Sequence, residues 1–354
     1  MPIPTEPIGS IPRPQALLDA MRALAGGRLA QTEFDAVSDA AVRDTVARFE
    51  ATGSPVITDG EQTKPSFATY PIAGLAGLAP DGVVIPFADG HTRQLPVLNA
   101  GPFRYRTYAD SYIQAARKHA RLPIKQAVIS ASALSLLYPQ GGIPGYPRDA
   151  FLEDLLREHA ADIRRCLEMG AACVQIDFTE GRLAVKLDPS KQLLKSFIAL
   201  NNRALDRFSK EERARIGVHT CPGGDRDSTH SADVDYADFL PHLFDLNAGR
   251  FYIQLASERD RHRVLRTIQR YAKADQRIFV GVTDPIDPRV ERAEDVRDRV
   301  LEAAEYIALD RLGTTDDCGF SPFGDDTSTS RDTAFGKIHA RVHGTALAAQ
   351  TLGV

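Results

Sequence analysis

The sequence predicts an α/β protein built as a (β/α)8 barrel of TIM type, with an N-terminal helical extension and an insertion after the second strand. Three observations carry that expectation. Short β-rich apolar runs alternate with amphipathic stretches of helical length. Parallel neighbours need a crossover between them, which the helical stretches supply. The runs number eight, which is the count that closes such a barrel. An open doubly wound sheet is the competing arrangement.

Taken in order, the eight runs are "PIPTEPIGS" (2–10), "PVITDGE" (55–61), "PIKQAVISAS" (123–132), "ACVQIDF" (172–178), "RIGVHTC" (215–221), "RFYIQLAS" (250–257), "RIFVGVTD" (277–284) and "RLGTTDDCG" (311–319). The first is weakened by its prolines, which lack an N–H for the ladder. Between the runs, "YPRDAFLEDLLREHAADIRRCLEMGA" has apolar residues at three- and four-residue spacing and stops at Gly170. A second helix runs from near Asp188 through "SKQLLKSFIALNNRALDRFS", and a third is "DPRVERAEDVRDRVLEAAEYIALD" with its acids placed early. The 354 residues exceed the roughly 250 that a barrel needs. The surplus falls in the helical region to about residue 50 and in residues 62–122. There "GVVIPFADGHTRQLPVLN" predicts a hairpin turning at Ala88-Asp89-Gly90. The whole reads as one barrel domain, 1–354, with the insertion at about 62–122.

Composition narrows the function. With 43% hydrophobic and 25% charged residues the chain can bury a sizeable core. A formal net charge of -4 offers no general attraction for nucleic acid or an anionic membrane. No apolar run approaches a membrane span, and the N-terminus lacks the pattern of a signal peptide. Four widely spaced cysteines do not form a disulfide framework, so the expected compartment is the reducing cytoplasm. A homo-oligomer is left open.

In a barrel, the active site lies at the C-terminal ends of the strands. Those ends carry Ser10, Asp59 and Glu61, Ser130, Asp177, His219 and Cys221, Glu258, Asp284, and Asp316 with Cys318. Asp59 and Asp284 each also read as ordinary turn or capping residues. Residues i and i+2 of a strand share a face, so His219 and Cys221 project together, and Cys318 ends the eighth strand on the same rim. One imidazole and two thiolates form a soft donor set suited to zinc. The competing reading is a capping histidine and a buried cysteine.

"IGSIPRP" (8–14), "DGEQTKPSF" (59–67), "VQID" (174–177), "HTC" (219–221), "GVTDPIDPRVE" (281–291) and "DDCGFSP" (316–322) resemble the cobalamin-independent methionine synthase family. The resemblance covers nearly the whole chain and is to the C-terminal catalytic barrel of the long enzyme, in the short stand-alone form. It implies zinc held by His219, Cys221 and Cys318, and a homocysteine pocket built from Ser10, Glu61 and Asp177. It also implies a zinc-activated thiolate attacking the donor carbon, with homocysteine or a similar small thiol as acceptor. Asp177 and Asp284 are the candidate catalytic carboxylates.

The departures fall mostly on the donor side. The family's glutamate ligand at the sixth strand is replaced by Leu255 or Ala256, with Glu258 two residues on as the substitute fourth ligand. The family's proton-delivering histidine is replaced by Ile286. Phe178 stands where the family has an acid, and there is no tryptophan for a pterin. Phe178 or Tyr70 would then supply an aromatic wall. The methyl donor is accordingly left as folate, a methylcorrinoid or another activated donor, epoxides included. A metal-free barrel like uroporphyrinogen decarboxylase would need cleft arginines, for which Arg13, Arg226 and Arg289 are the candidates.

Overall fold

The computed structural model describes residues 2–223 and 229–354. Four short strands come first: β1 Leu78–Ala79, β2 Val84–Pro86, β3 Thr92–Gln94 and β4 Val97–Leu98. Six longer ones follow: β5 Lys125–Ile129, β6 Cys173–Asp177, β7 Ile216–Thr220, β8 Arg250–Ile253, β9 Arg277–Gly281 and β10 Leu312–Thr315. These six pair in parallel, in sequence order from β5 to β10, each joined to the next by a helical crossover. Almost every residue in them is buried, because the helices cover one face and the barrel interior the other. The three helices expected between strands are present as Arg148–Glu168, Gln192–Leu205 and Ala293–Ala304, and the N-terminal region forms Gln15–Ala25 and Gln31–Ala51.

The first two predicted strands survive only as isolated parallel bridges, Thr5 with Thr314 and Ile57 with Ile124. Their positions still close the ring. Glu6 N–H donates to Thr314 O at 3.0 Å and Thr314 N–H to Pro4 O at 2.9 Å. On the other edge Ile57 N–H donates to Pro123 O and Lys125 N–H to Ile57 O. The two segments then meet each other through Ile11 N–H to Gly60 O and Thr58 Oγ1 to Gly9 O. Prolines 2, 4, 7 and 55 remove the donors that a longer ladder would require.

Inside the barrel, Glu6 accepts from Arg250 Nη1 at 2.6 Å and Tyr252 Oη at 2.5 Å. Lys125 lies 3.7 Å from the same carboxylate and 3.3 Å from the centre of the Tyr252 ring. Tyr252 joins this buried ionic knot to a small apolar cluster of Ile8, Cys173 and Phe279.

Residues 62–122 hold the predicted hairpin, β2 pairing with β3 in antiparallel register, and a second small pair, β1 with β4. The segment docks on helix Arg148–Glu168 through two carboxylates one turn apart. Glu158 accepts from Tyr105 N–H and Tyr108 Oη, and Asp162 from Ala109 N–H and Tyr70 Oη. Among the described residues no helix is long and apolar enough to cross a membrane.

Burial pushes the Asp162 carboxyl up to about 6, against the pull of Tyr70 and Ala109. Its folded pKa therefore lies above the unfolded value of about 4, and the native state holds the extra proton between them. Stability conferred by that proton is lost as pH rises from about 4 to about 6. Urea unfolding across this range should show a smaller pH dependence in Asp162→Asn than in wild type; identical curves would refute the assignment.

Candidate functional site

A cavity of about 370 Å³ opens at the C-terminal ends of the strands. Its lower wall comes from Ser10, Glu61, Gln175, Asp177, His219, Cys221 and Cys318, and its upper wall from Phe67, Ile85, Phe87, Arg93, Leu95 and Phe323. The upper wall is thus largely the β2–β3 hairpin, folded over the barrel mouth.

Strand register explains how the polar wall forms. Asp177 of β6 is the register partner of His219 of β7, so the two side chains leave adjacent strands on one face. Cys221 follows two residues later. Cys318 arrives from beyond β10, and its sulfur lies 3.0 Å from that of Cys221. One donor atom from each of His219, Cys221 and Cys318 lies within 4.8 Å of the others, and all three residues are buried.

Neither ring nitrogen of His219 meets a well-aligned hydrogen-bond partner among the described residues. A buried imidazole with no well-aligned hydrogen bond is unfavourable, and one of its nitrogens lies within 4.8 Å of the Cys221 and Cys318 sulfurs. Burial pulls the His219 imidazole down, but Cys221 and Asp177 more than offset it and hold it above its ordinary value. Cys318, with His219, holds Cys221 well below the usual thiol range against the opposing effect of burial. A thiol held below its usual range beside a buried imidazole is the combination that a soft divalent cation exploits.

Ser10, Glu61 and Asp177 share the wall. Ser10 Oγ accepts from Ser321 N–H at 3.2 Å, and Gly319 packs so closely that a Cβ there would sit 2.1 Å from Ser10 Oγ. Glu61 follows Gly60, and both have positive φ, 55° and 70°. This left-handed pair, sterically costly for a glutamate, turns its carboxylate inward, where Lys64 Nζ meets it at 2.8 Å. Burial pulls Lys64 down, yet Glu61 and Asp59 raise it above its ordinary value overall. Burial pushes Asp177 up to about 6, opposed by His219; Glu61 adds to the rise. Its Oδ1 accepts from Gln175 Nε2 at 2.7 Å.

Two predicted residues are not brought into this group. Strand β8 ends at Ile253, so the alternation that would aim Glu258 at the cluster does not reach it. Instead Glu258 pairs with the buried Arg182 at 2.8 Å and accepts from Gln254 at 3.1 Å. Asp284 does not line the cavity; its Oδ1 accepts from Ile286 N–H at 2.9 Å, the plain turn role. Asp59 likewise caps its own turn, accepting from Glu61 N–H.

Phe178 and Tyr70 do not line the cavity. Phe178 is buried beside Phe239, and Tyr70 donates to Asp162. The aromatic wall is Phe67, Phe87 and Phe323, with the Arg93 guanidinium 3.8 Å from the centre of the Phe323 ring. Phe67 and Phe323 lie in or just beyond the quoted motifs and Phe87 in the expected hairpin, but none has a periodicity that marks it. Glu180, buried on the same wall, was also missed; only its position three residues after Asp177 pointed to it.

Of the three arginines a decarboxylase would need, Arg13 spends its donors on four backbone carbonyls, and Arg289 is exposed against Asp287. Arg226 lies outside the described residues.

Fold and site together define an α/β barrel with a soft-donor cluster and an acidic pocket at its catalytic end. Residues 3–331 match the family described as cobalamin-independent synthase, catalytic domain, and the chain belongs to that family. A methionine synthase from Sulfurisphaera tokodaii is 22% identical over 350 residues, 99% of this chain and 94% of that protein. One from Thermococcus kodakarensis is 24% identical over 321 residues, covering 90% and 86%. Among solved structures, a B12-independent methionine synthase from Shewanella sp. W3-18-1, in complex with selenomethionine, superposes with a TM-score of 0.77 at 20% identity, covering 99% of both chains.

The Ser10–Gly319 contact can be tested by a double-mutant cycle. Gly319→Ala should destabilise the protein by roughly 1–3 kcal/mol through overpacking. Ser10→Ala in the same chain should recover part of that loss, since it removes the clashing oxygen. Strict additivity in urea unfolding would show that the two do not meet.

Proposed function

We propose that this chain transfers a methyl group to a small thiol, homocysteine foremost, with zinc held by His219, Cys221 and Cys318. The observation that carries the reading is the buried trio of one imidazole and two thiols on the wall of a cavity that also holds Ser10, Glu61 and Asp177. Membership of the synthase family supports it, as do relatives named methionine synthase. Three protein donors leave a fourth position for the substrate sulfur, so the reading does not require Glu258. Zinc bound there would supply the Lewis acidity that lets a thiol lose its proton near neutral pH.

The remaining roles belong to the protein. Glu61 and Asp177 face the cavity as carboxylates suited to a substrate ammonium, and Lys64 and His219 limit their mutual repulsion. Ser10 offers a hydroxyl to the substrate carboxylate. The apolar roof excludes water from the acceptor sulfur, which keeps an anionic nucleophile weakly solvated and reactive. Folate, a methylcorrinoid or another activated alkyl donor would approach from the roof side. An epoxide-opening transfer to a different thiol uses the same acceptor wall and is the second reading; a metal-free decarboxylase lacks its arginines at Arg13 and Arg289.

Metal analysis of protein purified without chelator should find about one zinc per chain, lost in both His219→Ala and Cys318→Ser. Adding homocysteine to the zinc form at neutral pH should release protons. Wild type without stoichiometric zinc would sink the proposal. Glu258→Gln should retain the metal; loss of metal would return Glu258 to the ligand set.

A further inference from the structure

β10 ends at Thr315, three residues before Cys318, so strand register does not set the place of that thiol. Cys221 differs, because it follows directly on β7, which ends at Thr220. Around Cys318, bonds from its neighbours do the work of a ladder. Asp316 Oδ1 accepts from Thr283 Oγ1 at 2.8 Å and pairs with Arg341 Nε at 3.0 Å. Asp317 N–H donates to Thr283 O, and Phe320 N–H to Ser10 O, both at 3.0 Å. The buried Asp317 side chain reaches across to the segment after β8. There its Oδ1 accepts from Leu255 and Ala256 N–H, each at 2.9 Å. Its Oδ2 accepts from Ser257 N–H and Ser257 Oγ, each at 2.7 Å.

Three successive N–H groups turned to one side form a concavity that binds an anion. Here the anion is a side chain of the same chain, brought from 60 residues away. Gly281, the last residue of β9, leaves the space for it, since a Cβ there would fall 1.8 Å from Oδ1.

We propose that Asp317 is a positioning residue for the soft-donor cluster: its hold on residues 255–257 fixes the Cys318 sulfur beside that of Cys221 and so sets the affinity of the pair for a thiophilic ion. For the identity of that ion this rests on the zinc reading above; for the placement of the two sulfurs it stands on the hydrogen bonds alone.

The two sulfurs lie 3.0 Å apart in the absence of any ion. Both must be thiolates to bind a metal, and two neighbouring anions repel. A loop free to move would relax apart, and the ion would have to order it again on binding. Four bonds from one carboxylate remove that freedom beforehand. Groups that orient a ligand in this way typically govern metal affinity by 10–100-fold. Asp317→Asn keeps one acceptor oxygen and turns an NH2 towards the other donors, so two of the four bonds are lost and donors face donors.

The test uses the full chain, stripped of metal and reloaded, with zinc affinity read by competition against a chelator. Asp317→Asn should weaken zinc roughly 10–100-fold. Gly281→Ala, which disturbs the same carboxylate from β9, should do likewise, and Ser257→Ala, which loses one bond of four, should do less. Glu158→Gln loosens the docking of residues 62–122 and should keep wild-type zinc affinity. A second probe needs no zinc. Phenylarsine oxide condenses with two thiols only when their sulfurs sit close together. The metal-free wild type should capture it, Cys318→Ser should not, and Asp317→Asn should hold it more weakly by a factor similar to that for zinc. Folded Asp317→Asn and Gly281→Ala with wild-type affinity for both probes would overturn the proposal. So would an equal loss of zinc in Glu158→Gln, which would assign the effect to general stability, or a wild type that does not capture the arsenical. A wild type that captures the arsenical but binds no zinc would strike the zinc reading instead, and the arsenical affinities of the variants would still decide the role of Asp317. If Asp317→Asn does not fold, Gly281→Ala and Ser257→Ala decide it.

Discussion

The structure depends on closing a parallel barrel with two segments too proline-rich to be strands. A sheet of six parallel strands has two open edges, and each edge exposes unpaired N–H and C=O groups. Residues 4–6 cover the edge of β10 and residue 57 covers that of β5, with only a few backbone bonds apiece. What such short ladders lack, side chains supply. Glu6, drawn in by Lys125, Arg250 and Tyr252, pins the first segment to the barrel floor from within. Removing one partner of such a buried group leaves the rest uncompensated, which is why the knot constrains geometry more firmly than its net stability suggests. Ser10 and Glu61 lie only a few residues beyond these anchors, so the acidic pocket exists because the closure does.

The cavity divides by chemistry. Strands β6 and β7, with the loop after β10, bring soft donors and carboxylates to one wall, where register fixes their spacing. The hairpin roof is apolar and aromatic, with Arg93 bound between the Phe323 ring and Asp325. The carboxylates and soft donors therefore lie together on one wall, and the one charged side chain named in the roof, Arg93, is neutralised by Asp325. Asp177, Glu61 and Glu180 could not all be anions in so small a volume without partners. Lys64 answers Glu61, His219 answers Asp177, and Glu180 is left as the carboxyl that burial keeps near neutrality.

What could be read in the sequence was what local pattern determines. Short apolar runs located β5 to β10, and three-and-four helical spacing located three of the crossovers, those after β5, β6 and β9. The two-residue period was enough to put His219 and Cys221 on one face, and the position of Cys318 at a strand end brought it to the same rim. Contacts set by tertiary packing were not legible. Glu258 read as a ligand only while β8 was imagined to continue, and its partner Arg182 lies 76 residues away. Glu180 follows an irregular turn, Phe178-Thr179, where no period applies. The aromatic roof joins Phe67 and Phe87 of the insertion to Phe323 from the loop after β10, a meeting that no local pattern encodes.

The end of the sixth barrel strand shows why the expected carboxylate could be absent without loosening the cluster. Leu255 and Ala256 bring no ligand, but their N–H groups and that of Ser257 all donate to the Asp317 carboxylate, as does the Ser257 hydroxyl. Gly281 makes room for it, since a Cβ there would fall 1.8 Å from Asp317 Oδ1. Burial, and then Asp284, push Asp317 up to about 7, which the four donors resist. The Asp317 carboxylate, one residue before Cys318, thus braces the strand end. Cys318 is thereby tied through its own neighbour to β8 and, by Asp317 N–H to Thr283 O, to the end of β9. A thiol tied through its neighbour to the segments after β8 and β9 keeps its place beside Cys221 without help from a carboxylate at the end of β8.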